Sequence, residues 1–142
     1  MVNDVLNGII AKLRAINTEK VTIYTDEHKQ GLALPCYFVR LLNYTMERVV
    51  GDRYKVHFYF DIEYHSASDN AVTREYNEVM SALCLQLEFI TIDGKLERYS
   101  SLSCEIQDKV LHTFVEYDLF LRLVPEQIEK KMLLIHHHGV KE

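Results

Sequence analysis

Four side chains with acid–base or metal-binding chemistry stand at alternate positions of one short stretch. His57, Asp61, Glu63 and His65 are all odd-numbered, so on a β-strand they share one face. Imidazole and carboxylate groups side by side are what general acid–base catalysis or a zinc site requires. A solvated or subunit-facing sheet surface is the alternative. We favour this alternative because no third group at a diagnostic spacing completes a site.

The other candidates for metal or redox chemistry are weaker. His136–His138 are adjacent, so their rings point in different directions, with nothing around them to fix a geometry. Cys36, Cys84 and Cys104 are odd in number and far apart, which fits neither a disulfide framework nor a zinc knuckle. Their apolar sequence neighbours predict buried, reduced thiols. We therefore predict no catalytic residue, no cofactor and no metal.

Composition and missing motifs exclude several classes of function. The motifs GxGxxG, GxxxxGK[ST], GxSxG, HExxH and CxxC do not occur. The net charge is −5, from 16 basic and 21 acidic residues without a dense Lys/Arg cluster, which disfavours nucleic acid as a direct ligand. Apolar runs fall far short of the roughly 20 residues that span a bilayer, and no signal-peptide pattern is present. We expect a protein that is made and kept in the cytoplasm.

The hydrophobic periodicity of the sequence predicts two helices and five strands. The helices are predicted near residues 3–16 and 69–90, with Asn3 or Asp4 and Ser68 or Asp69 as N-caps. Turns are predicted at Gly51-Asp52, Asp93-Gly94 and Asp108-Lys109. The predicted strands are Val21–Thr25, Cys36–Val50, Arg53–His65, Glu97–Gln107 and Val110–Leu123.

The resulting order, α-β-β-β-α-β-β, predicts an α+β fold. Its 142 residues fit one domain, residues 1–124, followed by a C-terminal tail, residues 125–142. Consecutive hairpins predict an antiparallel sheet of about four to five strands with both helices on its apolar face. The opposite face, which carries His57, Asp61 and Glu63, is predicted to be polar and open.

Several strings of the sequence are informative through their order and spacing. They are Ile23-Tyr24-Thr25-Asp26-Glu27, Gln30-Gly31-Leu32, Pro35-Cys36-Tyr37-Phe38, Gly51-Asp52-Arg53-Tyr54, Phe60-Asp61-Ile62-Glu63-Tyr64, Asp93-Gly94 and the strand from Leu111 to Leu121. Taken together, these strings resemble a family of phage and prophage proteins, the tail terminators or tail completion proteins. The similarity covers roughly Asn3 to Val124.

This resemblance implies a structural role rather than an enzymatic one. Members of the family cap the tail tube as a ring, usually of six subunits, and join it to the neck or head complex. The implied partners are other copies of the chain, the tail tube protein and a neck or head-completion protein. DNA is only cargo passing through the lumen, and no membrane is involved. The implied location is the virion tail, after assembly in the host cytoplasm. Another neck or tail assembly protein of the same fold remains an alternative, as does a small ligand-binding module or enzyme.

A ring requires two different patches that meet head to tail, and the sequence offers candidates. One is the loop at Gly31, and another is the charged tip of the long hairpin, which we expect to extend beyond the helices. The C-terminal tail adds an apolar stripe at helical spacing that the domain core does not need. The predicted subunit-interface residues are Gln30, Gly31, Leu32, Glu47, Arg48, Arg53, Ile128 and Met132.

Overall fold

The computed structural model describes residues 1–16, 21–26, 31–69 and 72–123. These residues form two helices and six strands. The bounds are α1 Val2–Ile16, β1 Thr22–Tyr24, β2 Cys36–Val50, β3 Arg53–His65, α2 Thr73–Gln86, β4 Phe89–Ile92, β5 Lys95–Gln107 and β6 Val110–Arg122. The predicted α+β class is confirmed, and the predicted strand count falls short by β4.

Strand β4 occupies residues that periodicity assigned to the end of the second helix. That helix was predicted to reach Ile90, but α2 ends at Gln86. Phe89–Ile92 alternates exposed and buried residues, and the turn after it has positive φ at Asp93 (49°) and Gly94 (79°). This geometry is typical of a two-residue hairpin turn. Ile90 is buried in β4, and it would also be buried at the end of a longer helix. The apolar spacing alone therefore did not distinguish a helix from a strand here.

The sheet is mixed, so the prediction of a wholly antiparallel sheet was wrong. Its strand order is β1-β2-β3-β6-β5-β4. The pair of β1 and β2 is parallel, with Thr22 opposite Cys36, and the other pairs are antiparallel. The segment between Tyr24 and Cys36 is long enough to return the chain to the end at which β1 began. An alternating pattern does not encode the direction in which two strands pair.

Both helices contribute to one core on the apolar face of the sheet. The core strands are β3 and β6, where Phe58 and Tyr117 are fully buried. Tyr117 also donates its hydroxyl proton to the Leu87 carbonyl at 2.7 Å, which ties the end of α2 to β6. The helix residues buried in this core are Val5, Ile9 and Leu13 of α1 and Tyr76, Val79 and Leu83 of α2.

The predicted capping residues Asn3, Asp4, Ser68 and Asp69 do not act as N-caps. Helix α1 begins at Val2, before Asn3, and its terminal ammonium lies 3.4 Å from the Asp4 carboxylate. The N-cap of α2 is Val72, which has no side-chain capping bond. Packing of the apolar stripes therefore sets where these helices begin.

The three cysteines are free thiols in the structure, as predicted, but only Cys36 is buried. Cys84 and Cys104 are half-buried, and the Cys104 thiol lies 3.4 Å from Thr113 Oγ1. Burial, followed by the effect of Cys104, raises the pKa of the Cys84 thiol above its usual 9.0. The Cys84 thiol is therefore protonated and a weak nucleophile at neutral pH.

Candidate functional site

Alternate residues of three adjacent strands build the polar face of the sheet. Strand β3 pairs with β6 along nearly its whole length, from Arg53 opposite Arg122 to Tyr64 opposite Leu111. The predicted alternation of β3 is confirmed on its apolar side, where residues from Val56 to Tyr64 are buried in the core. The second face of β3 therefore points away from both helices.

The centre of the polar face is closed, although the sequence predicted an open surface. Asp61 and Glu63 are only 5% and 8% exposed. His112 Nδ1 lies 3.1 Å from Asp61 Oδ2, and the Arg40 guanidinium pairs with the Glu63 carboxylate. The His112 ring stacks on Phe114 with centroids 5.9 Å apart. Neighbouring strands on both sides supply the ion partners and rings that cover these acids.

Asp61, Glu63 and His112 are also a group that can hold a metal ion, because their ligand atoms lie within 4.8 Å of one another. Carboxylate and imidazole ligands suit zinc. Both carboxylates already have a cationic or hydrogen-bonding partner. A metal ion would have to displace Arg40 from a nearly buried carboxylate. The geometry favours an ion-pair network that holds β2, β3 and β6 together.

His65 borders this network but does not carry charge in it. Its Nε2 lies 3.4 Å from Glu63 Oε1, and its ring meets Phe38 edge-on at 5.3 Å. Burial lowers the pKa of His65 below its ordinary 6.5, and the electrostatic effects of His112 and Arg40 act in the same direction. His65 is therefore neutral at pH 7, and its approach to Glu63 is not an ion pair.

His57 belongs to a second, separate network nearer the hairpin tip. Its Nδ1 lies 2.7 Å from Asp118 Oδ1, and its Nε2 lies 3.5 Å from Glu116 Oε1. Burial by itself would raise the pKa of Asp118, but hydrogen bonds from His57 and Ser100 lower it overall. The four residues that alternate in the sequence are thus divided between two carboxylate networks and do not form one site.

The outer side of β2 is a long exposed strand edge. Strand β1 pairs only with Cys36 to Phe38, and from Val39 to Val50 no described strand lies on this side. Most side chains from Arg40 onward are exposed as well. A strand edge with unpaired N–H and C=O groups is a template for a strand from another chain.

Two irregularities in β2 place additional apolar side chains on this edge. The register with β3 shifts between Leu41 and Asn43 and again between Arg48 and Val50. The inserted residues are Leu42, which is 49% exposed, and Val49, which is 57% exposed. Bulges usually protect an edge from pairing, but here they present apolar residues to solvent.

The opposite edge of the sheet is also only partly covered. Strand β4 pairs with Lys95 to Arg98 of β5. Beyond Arg98, up to Gln107, the described chain places no strand on this side of β5. This stretch is mostly exposed and includes Ile106, which is 48% exposed. The sheet therefore has two different open edges.

An open surface cavity of about 500 Å³, here called the tip groove, lies at the hairpin-tip end of the sheet. Apolar and basic side chains share its walls, and Phe120 is 72% exposed there. Arg122 Nε donates to Asp52 Oδ2 at 2.9 Å. The tip groove is lined by Val49, Val50, Arg53, Lys95, Phe120, Leu121 and Arg122.

The predicted interface residues lie at both ends of the sheet. Glu47, Arg48 and Arg53 are exposed near the hairpin tip. Gly31 is exposed and Leu32 half-buried at the other end, where Leu32 lines a pocket of about 170 Å³ beside His65. The ends of β3 are roughly 40 Å apart at the usual strand rise. Gln30, Ile128 and Met132 lie outside the described residues.

The hairpin tip remains part of the sheet. Strand β3 remains paired with β6 up to Arg53, and the Leu123 N–H donates to the Asp52 carbonyl at 2.8 Å. Within the described residues, β2 is largely exposed on both faces and along its outer edge from Arg40 to Val50.

Sequence reasoning missed the apolar residues that shape these surfaces, chiefly Leu42, Val49 and Phe120. The sequence could have indicated Phe120, because it stands between Asp118 and Arg122 among the polar positions of β6. It could also have indicated Val49, because Val49 and Val50 form an apolar pair directly before the turn at Gly51. No sequence pattern indicates Leu42, because its exposure depends on a bulge.

Comparison with known proteins agrees with a structural rather than an enzymatic site. Among the described helices, none is long and apolar enough to cross a membrane. No curated protein matches the chain. A family model described as phage tail terminator protein matches residues 4–131. This match spans all six strands and continues past Val124 into the C-terminal tail. The chain therefore belongs to the phage tail terminator family, a family of structural proteins of the phage tail.

Proposed function

We propose that the chain caps the phage tail tube as a ring of its own copies, six in number, and presents a surface to the neck or head complex. Membership of the tail terminator family supports the role in the phage tail. The observation that carries self-association is the outer edge of β2. It combines unpaired backbone groups among the described residues with the exposed side chains of Leu42, Val49 and Val50.

The two open edges of the sheet support a head-to-tail arrangement. In a ring, the outer edge of β2 in one copy contacts the β4–β5 edge of the next copy. Strand β5 runs antiparallel to β2, because each step from β2 through β3 and β6 to β5 reverses direction. Contact between them adds an antiparallel pair to the sheet. Two different edges give a heterologous contact, which closes into a ring when the rotation between copies fits.

The charge of the chain supports DNA as cargo rather than as a ligand. The net charge is −5. On the polar face, Glu105, Glu116 and Asp118 are acidic side chains of β5 and β6. A negative surface repels phosphate groups, so DNA passes such a ring without binding to it.

The test uses tail tubes assembled from the tube protein of the same genome, viewed by negative-stain electron microscopy. The wild-type chain is expected to form rings at tube ends and to stop elongation. The double variant Leu42→Lys/Val49→Lys should fold but leave the tubes uncapped, because charges oppose pairing at a strand edge. Leu85→Lys is the control, since Leu85 is 76% exposed on α2 and belongs to neither strand edge.

The possible outcomes test the capping function and the β2 edge separately. If the wild-type chain never binds tube ends, the proposed function is wrong. If the Leu42→Lys/Val49→Lys variant caps tubes as well as the control does, the β2 edge is not the contact between copies.

The charged hairpin tip is tested in the same assay by reversing one charge. Arg53→Glu should weaken capping, because Arg53 is exposed at the end of β3 where copies meet. Arg14→Glu, at an exposed position near the end of α1, changes the net charge equally and should cap normally. Equal capping by both variants would remove Arg53 from the interface.

A further inference from the structure

We propose that the tip groove binds the C-terminal tail of the adjacent copy, through the stretch at residues 125–135. This inference rests on the proposed ring and identifies what each copy inserts into the next. Its starting point is the tip groove, an apolar concavity at the surface of the described domain.

The tip groove exposes more apolar surface than isolated surface residues do. Phe120, Val50 and Val49 are 72%, 62% and 57% exposed within one concavity of about 500 Å³. Single exposed apolar residues are ordinary, but a contiguous apolar patch rimmed by polar groups marks an interaction site. Arg53 and Lys95 supply that rim.

The C-terminal tail has the chemistry that this surface accepts. Ile128, Met132 and Ile135 recur at positions i, i+4 and i+7 of the sequence, a spacing typical of the apolar face of an amphipathic segment. Glu126 and Glu129 in its first half can pair with the basic rim.

The position of the chain end favours the adjacent copy over the same copy. Leu123 is buried, and its N–H is fixed to the Asp52 carbonyl. This bond fixes the point where the tail leaves the described domain, at the hairpin-tip end of the sheet. Val49 and Val50 lie in the groove wall and also on the β2 edge, so the groove is continuous with the proposed contact between copies.

Peptide binding to full-length protein tests this assignment. The probe is a fluorescent peptide of residues 124–142, and binding is followed by anisotropy at a concentration where light scattering shows monomers. Wild-type protein and the full-length variant Ile128→Asp/Met132→Asp should bind the peptide equally. Phe120→Asp should weaken binding by roughly 10- to 100-fold, the loss expected when one large apolar contact is replaced by a charge. Leu85→Asp should leave binding unchanged.

Three results would overturn the proposal. Failure of the wild-type chain and of the Ile128→Asp/Met132→Asp variant to bind the peptide would show that the tip groove does not accept this segment. Equal binding by the Phe120→Asp and Leu85→Asp variants would place the peptide elsewhere. Binding to the Ile128→Asp/Met132→Asp variant but not to the wild-type chain would mean that each tail fills its own groove.

The peptide assay contains no tubes, so its failure is distinct from failure of the proposed function. A chain that caps tubes but does not bind the peptide keeps its function and loses this inference. A chain that binds the peptide but never binds tube ends loses the function, and the groove assignment then describes self-association alone.

Discussion

Strands β2 and β3 are the two arms of one hairpin, but they differ in burial. Most of β3 is buried or half-buried, whereas β2 is largely exposed from Arg40 to Val50. Strand β3 lies between β2 and β6, and the outer part of β2 has β3 on one side only among the described residues. The position of a strand in the sheet therefore decides its burial more strongly than its composition does.

The two arms also depart from the usual rule that apolar residues are buried and acidic residues are exposed. The buried Asp61 and Glu63 lie on β3, and the exposed Leu42 and Val49 lie on β2. The buried acids have partners from β2 and β6, so they stabilise the domain. The exposed apolar residues are available to a second chain.

Truncating one apolar residue on each arm of the hairpin should give the largest difference in the free energy of unfolding. Phe60→Ala should cost about 3–5 kcal/mol in the free energy of unfolding, because Phe60 is 1% exposed in the core. Leu42→Ala should cost under about 0.5 kcal/mol, as exposed substitutions do. Tyr59→Ala, on the other face of β3, should also cost much less than Phe60→Ala. Urea unfolding measures these costs, and equal losses would contradict the strand register.

Breaking the central ion-pair network should have an intermediate effect. Asp61→Asn should cost about 1–3 kcal/mol, since it weakens the contact of a buried carboxylate with His112. Asp118→Asn, in the more exposed network of His57, should cost under about 1 kcal/mol. A larger cost at Asp118 than at Asp61 in urea titrations would mean that the closed centre is not what stabilises the polar face.

The smallest expected effect is a loss of stability in mild acid through His65. Its folded pKa lies below the ordinary 6.5, so between these values the unfolded chain binds a proton that the folded chain does not. The stability from neutral His65 is fully present above about pH 6.5 and is lost as the pH falls through the lower folded value. His65→Gln should therefore reduce the decline in unfolding free energy between about pH 7 and about pH 5.

Asp118→Asn is the control for this pH dependence. The pKa of Asp118 is lowered from 3.8, so its contribution is lost only below that pH. An unchanged slope in the His65→Gln variant would contradict the neutral state of His65.

Local patterns predicted much of this fold, and non-local pairing accounts for what they missed. The alternation from Val56 to Tyr64 and the turn at Asp108-Lys109 are local, and both were predicted. The parallel pairing of β1 depends on a return of the chain that no local pattern encodes. Burial of Asp61 depends on neighbours that the sequence places far away, Phe114 and His112. Exposure of Leu42 depends on a bulge in the register with β3.

The most direct test of the central claim is amide hydrogen exchange along β2 in the free chain and in the chain bound to tail tubes. In the free chain, outward-facing amides between Val39 and Val50 should exchange rapidly, and those of β3 slowly. On assembled tubes, this β2 segment should become protected, because an adjacent copy then pairs with or covers the edge. Protection that appears only elsewhere, with β2 exchanging as in the free chain, would contradict the claim that this edge joins the copies.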